Sequence, residues 1–183
     1  HFVYTSGKHG AVYVNKDAIY QDPAIASRLG HALAERFVED EVEAVVAPAI
    51  GGVILSQWTA YHLAELTGRE VLSVYAEKKV VEKMLIVPFV TGLSFPKIQL
   101  DEFVIRRGYD KLIAGKRVLV VEDILTTGRT ASQVIRVTRR VGGQVVGLAV
   151  RVQGGAEDVG LVPVADRRQG VGRAAAAGLR SRP

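Results

Sequence analysis

Residues 118–130 read Val-Leu-Val-Val-Glu-Asp-Ile-Leu-Thr-Thr-Gly-Arg-Thr, and this stretch decides the fold. The four apolar residues Val118–Val121 are typical of a strand that is buried on both faces, as in a parallel sheet. The strand is predicted to end at two acids, Glu122 and Asp123, and a run with helical spacing follows the turn. The stretch therefore predicts a strand, a turn and a helix in this order.

The Thr-Thr-Gly-Arg-Thr turn offers a site for a phosphate group. A helix N-terminus presents backbone N–H groups without helical partners and the positive end of the helix dipole, and both attract anions. The two carboxylates just before the turn suit hydroxyl groups or a magnesium ion beside that phosphate. Phosphate, diol and magnesium together indicate a phosphorylated sugar. A purely structural unit is the alternative, but it requires neither the two acids nor the three threonines.

Strand-like and helix-like segments alternate along the rest of the chain. Asp22-Pro23 predicts a helix start, with an N-cap acid before a proline. This alternation favours an α/β fold with one parallel sheet flanked by helices and a small N-terminal hairpin. The further predicted strands are Phe2–Tyr4, Ala11–Val14, Glu43–Ala47, Glu70–Tyr75 and Gln144–Val152, and the predicted helices are Pro23–Glu39, Val53–Leu66 and one that ends at Val141.

We predict a long β-ribbon at residues 80–107, because two apolar runs flank Thr91-Gly92 and Phe95-Pro96. The ribbon would serve as a flap over the site or as a dimer contact. We expect a homodimer, since such a ribbon on a small monomer would expose a large apolar patch. Arg106 and Arg107 at its end could reach a phosphate.

The length and charge of the chain limit the number of domains and the kinds of partner that we expect. A chain of 183 residues predicts a single α/β domain, here residues 1–163. Residues 164–183 hold five arginines and one acid, so this tail carries +4 of the net charge of +5. The tail lacks apolar periodicity and is predicted to be disordered. Because the remaining body is nearly neutral, we do not expect nucleic-acid binding.

The chain contains no cysteine, which excludes disulfides and thiolate metal sites and favours a cytoplasmic protein. No apolar run reaches the ~18 residues that a membrane span needs. The sequence therefore predicts a cytoplasmic protein without a membrane segment.

Ligands of open parallel sheets bind at the carboxyl ends of the strands. The glycines of Ile50-Gly51-Gly52 would let the backbone approach an anion, although such pairs are as often purely steric. Lys78 would stabilise charge on a leaving group, although paired lysines also mark solvated edges. The loops with suggestive chemistry that follow predicted strands are residues 49–52, 76–79, 122–130 and 153–155.

The 118–130 stretch resembles the loop of type I phosphoribosyltransferases that binds 5-phosphoribosyl 1-diphosphate (PRPP), and it matches every position that this family fixes. The resemblance implies that Glu122 and Asp123 hold the ribose hydroxyls and that the turn holds the 5-phosphate. Asp123 is one of two implied catalytic residues. The implied PRPP-binding residues are Glu122, Asp123, Ile124, Leu125, Thr126, Thr127, Gly128, Arg129 and Thr130.

The same resemblance implies a pyrophosphate-binding group made of Ile50, Gly51, Gly52 and Lys78. Lys78 is the other implied catalytic residue. The implied cofactor is Mg²⁺, which PRPP itself would carry to a position near Glu122 and Asp123, so no direct protein metal site is expected.

Within the family, the chain resembles the orotate branch. Residues 1–9 contain its Phe-x-x-x-Ser-Gly-Lys-His pattern, and the resemblance extends to about residue 163. It implies transfer of phosphoribose from PRPP to orotate, giving orotidine 5-phosphate and pyrophosphate in pyrimidine (UMP) synthesis. A purine phosphoribosyltransferase and a non-catalytic PRPP-sensing regulator are the alternatives.

The chain departs from the family pattern in three places. The usual Lys-x-His-Gly mobile loop is absent, and the ribbon takes its place. Gln153 stands before Gly154-Gly155, where the family has an arginine that contacts orotate. The family continues with ordered structure where this chain has its tail. The implied base-binding residues are Thr126, Gln153 and Arg151, which shares a strand face with Gln153. These departures leave the accepted base open.

Overall fold

The computed structural model describes residues 1–3, 9–10, 20–84, 97–125, 127–153 and 160–162. The described strands are β1 (Phe2–Val3), β2 (His9–Gly10), β3 (Ala44–Pro48), β4 (Leu72–Met84), β5 (Lys97–Val104), β6 (Arg117–Leu125), β7 (Gln144–Gln153) and β8 (Gly160–Val162). The described helices are α1 (Pro23–Ala34), a 3₁₀ helix (Glu35–Asp40), α2 (Gly51–Thr67), α3 (Tyr109–Ile113) and α4 (Arg129–Arg140).

Among the described residues, six strands form one sheet in the order β5-β4-β3-β6-β7-β8. The four central strands are parallel, and an antiparallel strand lies at each edge. From β3 the chain crosses to β4 on one side and later continues through β6 and β7 on the other. The strand order therefore reverses between β3 and β6, which is where ligands bind in open α/β sheets. The predicted parallel sheet flanked by helices is confirmed.

Helices cover both faces of the sheet, and side chains along β3 alternate between the two layers. Val45 and Ala47 pack with α1 and α2, whereas Ala44 and Val46 pack with α4 and β5. Every residue of β3 is buried. A strand buried on both faces needs no polar positions, and this explains the continuous apolar runs in β3 and in Val118–Val121.

The first long helix begins as predicted and ends differently. Asp22 caps α1, and its Oδ1 accepts hydrogen bonds from the N–H groups of Ala24 at 2.9 Å and Ile25 at 3.3 Å. The prediction of one helix to Glu39 was wrong, because a 3₁₀ helix follows Ala34 and is interrupted at Phe37. Phe37 is buried against Gly147 of β7, where a Cβ atom would lie 2.5 Å from its ring. Packing of this ring thus overrides the helical pattern.

The predicted ribbon is present and is continuous with the sheet. Strand β4 pairs with β3 through Leu72–Ala76 and then with β5 through Glu77–Met84. The sequence placed a strand end at Tyr75, but β4 continues without a break. The predicted turns at Thr91-Gly92 and Phe95-Pro96 lie outside the described residues.

Smaller predictions had mixed outcomes. The N-terminal hairpin forms between Phe2–Val3 and His9–Gly10, and the predicted strand at Ala11–Val14 lies outside the described residues. Trp58 is half-buried, with its ring stacked on His62. Helix α3 and strand β8 were not predicted from the sequence.

Residues 163–183 lie outside the described part of the chain, so the disordered tail and the domain boundary stay predictions. Among the described residues, no helix has the length and apolarity to cross a membrane.

Candidate active site

The carboxyl ends of the four parallel strands bring the predicted site loops together. Pro48 of β3 pairs with Ala76 of β4, and the N–H of Ala49 donates to the carbonyl of Ala76 at 2.8 Å. Between β3 and β6, Val46 pairs with Val120, so the same register places Pro48 level with Glu122. The loop after β3 therefore starts beside the acid pair, at the point where the strand order reverses.

The two acids lie inside β6 and not beyond its end. Glu122 and Asp123 are 6% and 7% exposed, and the strand continues to Leu125. The prediction that the strand ends at the acids was wrong, because pairing with β7 extends from Arg117 to Leu125. Adjacent residues of a strand project to opposite faces, so one carboxylate lies on each side of β6. The Oδ1 atom of Asp123 accepts a hydrogen bond from the N–H of Ile124 at 2.9 Å, which orients that carboxylate.

The turn after β6 leads directly into α4. Gly128 adopts a φ of 71°, a left-handed conformation that glycine accepts without steric cost, and the helix begins at Arg129. Gly128 has no side chain that could cap the N–H groups of the first helical turn. Thr127 Oγ1 lies 3.4 Å from the N–H of Arg129. Thr126 lies outside the described residues.

The loop after β3 leads into α2 on the opposite face of the sheet from α4. The peptide bond between Ala49 and Ile50 is cis, and the Ile50 side chain is 88% exposed. A Cβ atom on Gly52 would lie 2.7 Å from the Cβ of Ala47 and 3.2 Å from the Cδ of Pro48, so only glycine fits against β3 here. The loop thus offers backbone groups at the start of a helix, as anion sites do.

Lys78 lies on β4, two residues beyond Ala76, which is the last residue of β4 that pairs with β3. Its Nζ atom lies 2.6 Å from Oδ2 of Asp101 on β5. The two side chains are 57% and 46% exposed. The sequence did not point to Asp101, because the contact depends on the register of the ribbon, in which Lys78 pairs with Phe103.

A second charged pair, Arg107 and Glu77, lies at the base of the ribbon, next to Lys78 in the chain. Arg107 donates from Nε to Oε1 of Glu77 at 2.8 Å. This hydrogen bond, together with the charge of Glu77, raises the pKa of Arg107 above its ordinary value. Arg107 is paired with a carboxylate and Arg106 is exposed, and whether either can reach a phosphate stays a prediction.

Two of the three candidate base-binding residues lie at the end of β7. The backbone of Gln153 pairs with Leu125, the last residue of β6, and Arg151 lies in the same strand. Gly154-Gly155 lies outside the described residues. The register therefore brings Gln153 beside the turn that is predicted to bind phosphate. The contacts with the base stay predictions.

Comparison with known proteins gives the family. The model of the phosphoribosyl transferase domain matches residues 15–166. The orotate phosphoribosyltransferase of Caldanaerobacter subterraneus subsp. tengcongensis is 34% identical over 152 residues, which is 83% of this chain and 66% of that protein. The enzyme of the same name from Caulobacter vibrioides is 34% identical over 169 residues, or 90% of this chain and 73% of that protein. The chain spans 65% of the Desulforamulus reducens relative, so it covers about two thirds of these relatives.

Solved structures share the fold at lower identity. Orotate phosphoribosyltransferase of Mycobacterium tuberculosis H37Rv in complex with PRPP has a TM-score of 0.56 and 22% identity, covering 83% of this chain and 73% of that one. Adenine phosphoribosyltransferase from Thermoanaerobacter pseudethanolicus has a TM-score of 0.55 and 19% identity, covering 80% and 78%. The matched region contains both site loops and the parallel sheet between them, and the chain belongs to the type I phosphoribosyltransferase family.

Proposed function

We propose that the protein transfers phosphoribose from PRPP to orotate, giving orotidine 5-phosphate and pyrophosphate in pyrimidine synthesis. The observation that carries this proposal is the buried acid pair, Glu122 and Asp123, which lies beside two helix N-termini where the strand order reverses. The orotate phosphoribosyltransferases that are 34% identical over most of the chain support orotate as the base.

The phosphate and the ribose would bind along β6 and the turn after it. The N-terminus of α4, with Thr127 and Gly128, would hold the 5-phosphate through backbone N–H groups. Glu122 and Asp123 would accept hydrogen bonds from the ribose hydroxyls. A carboxylate oriented by a backbone N–H, as Asp123 is, accepts such bonds without further loss of side-chain freedom.

The diphosphate would bind at the loop after β3 and at the end of β4. Ile50, Gly51 and Gly52 supply backbone groups at the start of α2. Lys78 follows Ala76 by two residues, which is roughly 7 Å along a strand. The carbonyl of Ala76 accepts a hydrogen bond from the N–H of Ala49, in the loop after β3, at 2.8 Å. Lys78 is thus close enough along the chain to act on the same diphosphate.

The carboxylate oxygens of Glu122 and Asp123 suit a magnesium ion that the substrate brings to the site. Among the described residues, no group of three or more His, Asp or Glu side chains is arranged to hold a metal. The pair Glu122 and Asp123 supplies hard carboxylate oxygens, and Mg²⁺ is often bound by one or two carboxylates together with substrate phosphates and water. When bound, the ion would neutralise charge on the diphosphate.

In the proposed reaction, a ring nitrogen of the base releases its proton to solvent and forms a bond to C1 of the ribose. The bond from C1 to the diphosphate oxygen breaks, and its electron pair leaves with pyrophosphate. The protein contributes by positioning the reactants and by stabilising the developing charge on the leaving group, for which Lys78 is the candidate. No covalent nucleophile is required.

A homodimer and a cytoplasmic location are parts of the same proposal. The described part of the ribbon keeps apolar surface exposed, with Val80 57% accessible, and a partner subunit would cover such surface. The absence of cysteine agrees with a reducing compartment. Light scattering at micromolar concentration should give a dimer mass, and a monomer mass with a protected ribbon in hydrogen exchange would contradict it.

A neutral base is the second candidate. Gln153 carries no charge that could pair with the carboxylate of orotate, and a neutral purine would not need one. Incubation with PRPP, magnesium and a panel of orotate, adenine, guanine, hypoxanthine and xanthine separates the candidates. Formation of orotidine 5-phosphate and pyrophosphate supports the proposal. Purine nucleotide alone would favour the second candidate, and PRPP binding without any product would favour a regulator.

A further inference from the structure

We propose that Asp101 competes with the diphosphate for Lys78 and so sets how tightly pyrophosphate is held and how fast it leaves. This inference rests on the proposed function, since it takes Lys78 as a ligand of the diphosphate. Asp101 is not part of the family pattern from which the other site residues were predicted.

The ribbon register places Lys78 and Asp101 on one surface. Lys78 pairs with Phe103, and Asp101 is two residues from Phe103 on the same strand, so all three side chains share a face. Phe103 is buried in the cluster that contains Val134 and Val137 of α4. The Lys78–Asp101 pair therefore lies on the side of the ribbon that faces α4, the helix whose N-terminus is the proposed phosphate site.

The backbone of Asp101 is tied to that helix. The Nε2 atom of Gln133 on α4 donates a hydrogen bond to the backbone carbonyl oxygen of Asp101 at 3.3 Å. The backbone of Asp101 is thus linked to the helix that follows the phosphate turn. The Oδ2 atom of the Asp101 carboxylate lies 2.6 Å from the Nζ atom of Lys78.

Binding of diphosphate would set up a competition for one ammonium group. Lys78 would move toward the phosphate oxygens, and the Asp101 carboxylate would lose its partner and repel the anion. Both effects weaken the binding of pyrophosphate relative to a site without Asp101. Exposed ion pairs of this kind change an equilibrium by roughly 1.4- to 5-fold, since solvent screens them. A change of this size is enough to shift a step in which the product dissociates.

The test is calorimetric titration of magnesium pyrophosphate into the full chain and its variants. Asp101→Asn should bind pyrophosphate about two- to fivefold more tightly, and Asp101→Glu, which keeps the charge, should stay closer to the wild-type protein. Glu102→Gln is the matched control. It removes the same charge one residue away, on the opposite face of the ribbon, and should change the affinity less than Asp101→Asn does.

A double variant shows whether the effect passes through Lys78. Lys78→Gln should weaken binding, and in that background Asp101→Asn should tighten it less than in the wild-type protein, because only the repulsion of the anion by Asp101 is then removed. Unchanged or weaker binding by Asp101→Asn overturns the inference, and so does equal tightening with and without Lys78. If Lys78→Gln itself has no effect, the assignment of Lys78 falls and the inference falls with it. If Lys78→Gln weakens binding and Asp101→Asn does nothing, only the inference fails and the proposed function stands.

Discussion

Arg107 donates a hydrogen bond to Glu77 at 2.8 Å while its own backbone is in a left-handed conformation with a φ of 61°. The side chain therefore ties the turn before α3 to β4, just beyond the point where β4 leaves the parallel sheet. The contact lies at the base of the ribbon, next to Lys78 in the chain, and the residue after Arg107, Gly108, also has a positive φ of 81°.

The first prediction separates the backbone from the side chain of Arg107. Arg107→Ala loses the contact with Glu77 and still requires a left-handed backbone, whereas Arg107→Gly loses only the contact. Since the left-handed conformation costs a residue with a Cβ atom more than glycine loses in unfolded-state entropy, Arg107→Gly should melt at the higher temperature. Thermal unfolding of both variants by circular dichroism measures this. Equal melting temperatures would mean that the turn relaxes without strain.

The second prediction concerns the stability contributed by Glu43 at the start of β3. The N–H of Arg117 donates to Glu43 Oε2 at 2.9 Å and lowers the pKa of Glu43 below its usual 4.5, against an opposing effect of burial and with help from Lys116. Because the folded-state pKa lies below the unfolded one, this stabilisation is complete above pH 4.5 and is lost as the pH falls through the folded-state pKa.

Glu43→Gln should therefore lower the free energy of unfolding at pH 7 by less than about 1 kcal/mol, since the carboxylate is partly exposed. The difference from the wild-type protein should shrink as the pH falls below 4.5. Urea denaturation at pH 7 and pH 3 measures it, with the exposed Glu39→Gln as the control. A difference that is the same at both pH values would rule out the charge of Glu43 as its source.

The third prediction concerns the acid pair. Asp123→Asn should weaken PRPP binding by about 1–3 kcal/mol, the cost of losing one charged partner of a buried hydrogen bond. Calorimetric titration with PRPP and magnesium measures this. Asp40→Asn is the control, because Asp40 precedes β3 and so lies at the amino ends of the strands, away from the site. Unchanged affinity in Asp123→Asn would falsify the assignment of β6 as the ribose site.

The fourth prediction concerns the loop after β3. Gly52→Ala would place a Cβ atom 2.7 Å from the Cβ of Ala47, so either the loop or the strand must move. Overpacking of this kind costs about 1–3 kcal/mol of stability. It should also weaken pyrophosphate binding, because the backbone groups of Ile50 and Gly51 shift. In the Ala47→Gly background, which removes the opposing atom, the added cost of Gly52→Ala should be smaller. The same cost in both backgrounds would argue against this contact.

The sequence predicted those parts of the fold that depend on local pattern. The apolar runs at Val118–Val121 and in β3, the cap at Asp22 and the glycines of the site loops all have local physical signals. Contacts between distant segments had none. The Lys78–Asp101 pair depends on ribbon register, and the break at Phe37 depends on its packing against Gly147 of β7.

The end of β6 shows the same limit at the site itself. Two charged residues normally argue for a strand end, since carboxylates are seldom buried. Here pairing with β7 continues through Glu122 to Leu125, so the acids are held inside the sheet. Sheet pairing therefore positions the acids, and no pattern within 118–130 could reveal that.

The last prediction concerns the base. Gln153 pairs through its backbone with Leu125, and neighbouring strands lie about 5 Å apart. The sequence resemblance predicts that Gln153 stands where the family has an arginine that contacts orotate. A neutral amide can hydrogen-bond a carbonyl group but supplies neither charge nor a bidentate fork. Losing a charge-assisted hydrogen bond costs about 1.5–3 kcal/mol, or roughly 10- to 150-fold in affinity.

We therefore expect weak orotate binding unless Arg151, two residues earlier in β7, supplies the charge. Steady-state kinetics with orotate on Gln153→Arg and Arg151→Ala decide this, with Arg136→Ala on α4 as a control for the loss of a positive charge. If Gln153→Arg lowers the KM for orotate about tenfold or more, the neutral amide limits the natural affinity. If Gln153→Arg changes nothing and Arg151→Ala abolishes turnover, Arg151 binds the base. If neither variant matters, the substrate is a base without a carboxylate, because an anionic base in this position would respond to an added or a removed charge at the end of β7.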